Sequence, residues 1–101
     1  MADVNVIDNT GASRFEVNLD GEVAFADYRL KPGQIVLPHT VVPSAFEGRG
    51  VAGALARFAF GYARDHSLTV IPTCAFMSAW IKKHPEQQDL VDPGYKATLG
   101  I

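Results

Sequence analysis

The chain has 101 residues, 48% apolar and 20% charged, with a formal net charge of −2 and a pI near 5.8. That length suffices for one core and not for a second, and the charge balance supplies no general electrostatic drive toward nucleic acid or an anionic membrane. The one cysteine, Cys74, excludes an intrachain disulfide.

Residues 1–8 lack both the basic and the apolar segments of a secretory signal, and no apolar run approaches membrane-spanning length. One cytoplasmic domain spanning residues 1–101 is therefore expected. Residues 13–19 alternate, with Phe15, Val17 and Leu19 on one face and Arg14, Glu16 and Asn18 on the other. Asp20-Gly21 carries the residue types of a type I′ turn, so residues 22–30 should return as the antiparallel partner. Ala24, Ala26, Tyr28 and Leu30 share one face of that strand, Val23 and Phe25 the other, and apolar residues on both faces predict cover on both sides.

Residues 35–42 read as a third strand, interrupted by Pro38, which cannot donate to a ladder. Pro38 marks either an edge strand or a bulge. Residues 51–66 read as a helix whose stripe is Val51, Ala54, Leu55, Phe58, Ala59 and Tyr62, with Arg57 and Arg64 away from it. Phe60 lies opposite the stripe, where a chain terminus or a second subunit would cover it; a monomer or weak dimer is expected. Residues 67–73 are short, apolar and β-branched, and following a strand-helix unit they should pair parallel to residues 35–42. Residues 75–83 form a further helix, which Pro85 should end at His84. A turn through residues 86–91 and an irregular tail from Asp92 complete a mixed α/β chain.

Between the third strand and the long helix lie Gly48, Gly50 and Gly53, where missing side chains let backbone N–H groups approach an anion. A helix N-terminus favours phosphate, although tight helix-strand packing also accounts for such glycines. Neither the Lys nor the hydroxyl of a P-loop follows Gly53. Gly48-x-Gly50-x-x-Gly53 matches the dinucleotide fingerprint formally, but the next strand ends in Pro72-Thr73-Cys74 rather than an acid, and two mononucleotide halves do not fit in this length.

Glu47-Gly48-Arg49-Gly50-Val51-Ala52-Gly53 resembles the acyl-coenzyme A pyrophosphate loop of the GNAT N-acetyltransferases, Gln/Arg-x-x-Gly-x-Gly/Ala. Gly50 and Ala52 fit its last two positions, and Glu47 stands where Gln or Arg is usual. Arg14-Phe15-Glu16, Asp20-Gly21 with Ala24 and Tyr28, His39-Thr40 with Val42, Cys74, and Lys83-His84-Pro85-Glu86 with Asp89-Leu90 extend the resemblance to very small GNAT-like proteins over residues 14–90.

The resemblance implies a minimal GNAT fold: an antiparallel hairpin and third strand, a phosphate-loop helix, a parallel strand that splays from the third, and a C-terminal helix. It implies acetyl-coenzyme A as cosubstrate, no metal, and an amine acceptor, which includes a protein or peptide. The pantetheine arm would bond the backbone of Val41 and Val42, and the phosphates would meet Gly48, Arg49, Gly50, Val51, Ala52 and Gly53. Lys83 and His84 would stand toward the nucleotide end.

Cys74, at a strand-helix junction, is either an inert core thiol or, as the resemblance implies from the thioester's place, the proton donor to the leaving thiolate or the acceptor of the acyl group. His39 is either a structural imidazole or the base for the amine. Glu47 is the other candidate base, or a helix cap pointing away from phosphate. Arg49 either bonds phosphate or is a solvated loop side chain. Two further functions stand beside the transferase: an acyl-coenzyme A sensor or adaptor, and a carrier that acetylates itself on Cys74.

Overall fold

A computed structural model describes residues 4–46 and 48–101. Five strands form one sheet in the order β1-β2-β3-β4-β5: β1 Ile7–Asn9, β2 Arg14–Leu19, β3 Glu22–Lys31, β4 Gln34–Val41 and β5 Thr69–Ile71. The first four pair antiparallel and β5 joins β4 in parallel after the crossover through α1, Val51–Asp65. Then come α2, Ala75–Lys82, a 3-10 segment Pro85–Leu90, and α3, Pro93–Leu99.

The β2-β3 hairpin forms as its sequence requires. Asp20 at φ 52 and Gly21 at φ 81 make the two-residue turn, and Leu19 pairs with Glu22. Register then fixes the faces. Phe15, Val17, Ala24, Ala26, Tyr28, Ile35, Leu37 and Val70 are buried on one side of the sheet, under α1 and α2. Fully burying a side chain of the Val, Leu or Phe class contributes about 1.5–3 kcal/mol, so this shared core is what holds the helices on the sheet.

Four expectations change. The sheet is covered by the helices on one side only: Val23 and Phe25 are half-exposed, and the guanidinium of Arg14, 4.3 Å from the Phe25 ring centre, is what lies over that ring. Leu30, on the same face as the buried Ala24, Ala26 and Tyr28, is 53% exposed. Phe60 is core rather than surface; it is fully buried against Trp80 of α2, the rings stacked at 5.3 Å. The tail from Asp92 is helical, since the Asp92 side chain accepts from the Tyr95 N–H, Pro93 occupies the first turn and Gly100 ends the helix.

Strand β1 was not legible in the pattern. It pairs Ile7 with Glu16 and Asn9 with Arg14, and so helps to bury the Glu16 carboxylate under Asn9 and Arg14.

Candidate functional site

Pro38 shapes the site. Asp27 pairs with His39 and Arg29 with Val36, so Leu37 and Pro38 together oppose Tyr28 and form a bulge in β4. The Tyr28 N–H faces β2 and donates to the Ser13 carbonyl at 3.0 Å. On the other edge, the parallel ladder runs through Gln34–Thr69, Ile35–Val70 and Val36–Ile71. The Cys74 N–H then donates to the Leu37 carbonyl at 3.1 Å, and the chain turns into α2. Among the described residues, no strand pairs with that edge of β4 beyond Val36. Val41 and Val42 lie on this freed stretch.

Cys74 caps α2. Its Sγ accepts from the Met77 N–H at 3.3 Å and lies 3.2 Å from the Thr40 hydroxyl, with the thiol half-buried. Together with Pro38, His39, Ala75 and Phe76, Cys74 and Thr40 line a hollow of about 260 Å³. Thr40 pairs with Ala26 and therefore faces the helices, whereas His39 pairs with Asp27 and faces the open side of the sheet. Cys74 and His39 thus border one hollow from opposite faces. Thr40 is a site residue that sequence reasoning missed; its signal was its place directly after His39, where strand alternation reverses the face.

The glycine loop opens a second hollow of about 320 Å³, lined by Val42, Phe46, Gly48, Gly50, Val51, Ala52 and Gly53. Gly48 and Gly50 have φ of 76° and 71°, a conformation that a side chain resists, and a Cβ at either position would stand in open space where a ligand can approach. Gly50 is the N-cap of α1 and supplies no side-chain cap. The first N–H groups of α1 have no carbonyl one turn before them, and they point toward any anion in this hollow.

Two arginines flank it. Arg49 is half-exposed, and its guanidinium makes a loose contact, 3.8 Å, with the exposed Asp20. Arg57, exposed and off the apolar stripe as expected, folds back along α1: its Nη2 lies 3.4 Å from where a Gly53 Cβ would be. The four-residue spacing was the available signal, since residues i and i+4 meet on one helix face.

Lys83 and His84 line neither hollow. They follow α2 at the end opposite Cys74, about 12 Å along the helix at 1.5 Å per residue. His84 stacks on Trp80 at 3.8 Å, and its Nδ1 lies 2.6 Å from the Trp80 carbonyl oxygen. Glu47 lies outside the described residues. Among those described, no three His, Cys, Asp or Glu side chains converge as metal ligands.

The profile of the family described as GCN5-related N-acetyl-transferase matches residues 14–90. A mouse (Mus musculus) protein named NATD1 is 35% identical over 80 residues, covering 76% of this chain and 73% of its own. A Xenopus tropicalis NATD1 is 39% identical over 54 residues, 54% of this chain and 50% of that one. The NMR solution structure of a GCN5-like protein from Staphylococcus aureus superposes with a TM-score of 0.71 at 25% identity, covering 91% of both chains. With this match over most of its length and the same architecture, the chain belongs to the GCN5-related N-acetyltransferase family.

Proposed function

We propose that this protein transfers an acetyl group from acetyl-coenzyme A to an amine by direct attack. One observation carries the reading: the uncapped, glycine-lined start of α1 opens beside the stretch of β4 past Val36 that β5 leaves unpaired. The N–H groups of residues 51–53 and the guanidinium groups of Arg49 and Arg57 would hold the pyrophosphate, and the freed backbone at Val41 and Val42 the pantetheine arm. The cradle fits such a ligand because Gly48 and Gly50 leave open space in front of the backbone.

Bound acetyl-coenzyme A supplies the acyl carbon: the amine lone pair forms the C–N bond while the C–S bond breaks and its electron pair leaves on sulfur. An incoming ammonium carries three protons. One stays on the amide nitrogen, His39 passes one to solvent, and Cys74 delivers the equivalent of the third to the departing sulfur, being reprotonated in turn. Thr40, 3.2 Å from Sγ, orients that thiol. Positioning of the two reactants supplies much of the remaining rate.

The helix-capped Sγ also suits a covalent route through acetyl-Cys74, because an N-terminal N–H group supports a thiolate. Free-thiol release and intact-protein mass, followed with acetyl-coenzyme A in the presence and absence of an amine library, separate the two. Thiol release only with amine, and Cys74→Ala slower by roughly 10²–10⁴-fold, are expected for direct transfer. A stable gain of one acetyl group on the wild-type protein without amine points to the covalent route. Turnover by Cys74→Ala at the wild-type rate makes the thiol structural.

A further inference from the structure

A third hollow, about 500 Å³, lies at the bulge and is lined by Ala12, Ser13, Asp27, Tyr28, Arg29 and Pro38. Its volume falls in the range of small-molecule sites. Pro38 also lines the hollow that holds Cys74, so one bulge residue borders both. Asp27 sits directly across from His39 on the open face of the sheet. Arg29 follows Asp27 by two residues and therefore faces the same side. Among the described residues, neither the Asp27 carboxylate, which is half-buried, nor the Arg29 guanidinium forms an ion pair or a side-chain hydrogen bond.

We propose that this hollow is the acceptor site and that it takes a small zwitterion, an α-amino acid whose ammonium meets Asp27 and whose carboxylate meets Arg29. The inference rests on the transferase reading above and names its substrate class. Opposite charges on one strand face, without a side-chain partner among the described residues and beside this hollow, complement a ligand that carries both signs. The ammonium end would then stand next to His39, at the bulge through which the thioester is reached. An amine without a carboxylate gains only half of these contacts. A long cationic chain meets the Arg29 charge unfavourably.

The test uses the standard free α-amino acids, their carboxamides and the matching decarboxylated amines as probes. Amide chemical shifts of Ser13, Asp27 and Arg29 should move with at least one free amino acid and less with its carboxamide. In the transfer assay the same amino acid should be preferred, and Arg29→Gln should raise its KM about ten- to a hundredfold while leaving the KM for its carboxamide and the affinity for acetyl-coenzyme A unchanged. Arg29→Lys should restore part of the loss. Arg29 is exposed, so these variants should fold. The proposal is overturned if no free amino acid shifts these residues, or if acid and carboxamide serve equally. Calorimetry with acetyl-coenzyme A keeps the two claims apart: coenzyme binding without amino-acid preference defeats only this inference, and absence of coenzyme binding defeats both.

Discussion

Glu16 shows how one side chain ties the sheet's open face together. Asn9 from β1 donates to its carboxylate at 3.0 Å, and Arg14 both pairs with it and covers Phe25. The hydrogen bond from Arg14 is the largest influence on this carboxyl and holds it below its ordinary pKa, against the opposing effect of burial. A depressed pKa contributes stability above the unfolded value, about 4.3, and the contribution is lost as pH falls through the folded one. Arg14→Gln should therefore lower stability at pH 7 by about 1–3 kcal/mol, with the gap to wild type closing on acidification below about pH 4. Urea unfolding across that range checks it; a gap that is constant with pH would mean that the arginine acts through Phe25 alone. The glycines, Cys74 and His39 were legible as candidates at this scale because each is conspicuous by residue type. Thr40, Arg57 and Asp27 were not, because what places them is a partner: the register across the bulge, a turn of helix, and a cross-strand neighbour.

Among the elements, α1 and α2 lock through Phe60 and Trp80. Periodicity alone put Phe60 on the wrong side, because a stripe defined against one sheet does not anticipate a second helix beside the first. The same contact explains why α2 starts at the cleft: with Trp80 docked on α1, Cys74 is carried to β4 and Thr40. Phe60→Ala should cost about 3–5 kcal/mol in urea unfolding. A loss below about 1 kcal/mol would show that the helices are held by other contacts. The hairpin and the β4-α1-β5 unit were readable from alternation, turn residues and length. Strand β1, with 3 residues, is too short to show a period, and α3 was announced only by its ends, Asp92-Pro93 and Gly100.

For the whole molecule, one irregularity organises the rest. Pro38 costs β4 a regular ladder position at the bulge opposite Tyr28, no strand among the described residues pairs with the β5-side edge of β4 beyond Val36, and Pro38 lines both the Cys74 hollow and the one lined by Asp27 and Arg29. The sequence marked Pro38 as an interruption, but only the paired structure shows how many residues oppose Tyr28 and hence which side chain faces which hollow. The α1 N-terminus completes this geometry at the end of β4, so coenzyme binding is the property on which the functional reading stands. Titration calorimetry with acetyl-coenzyme A tests it most directly, using wild type and Gly50→Glu, with circular dichroism to establish that the variant is folded. The expected result is saturable binding to wild type with one site per chain and none to Gly50→Glu, whose carboxylate would occupy the phosphate position. Wild-type protein that gives no binding heat at about millimolar coenzyme at two temperatures, or a folded Gly50→Glu that binds as wild type does, would contradict it.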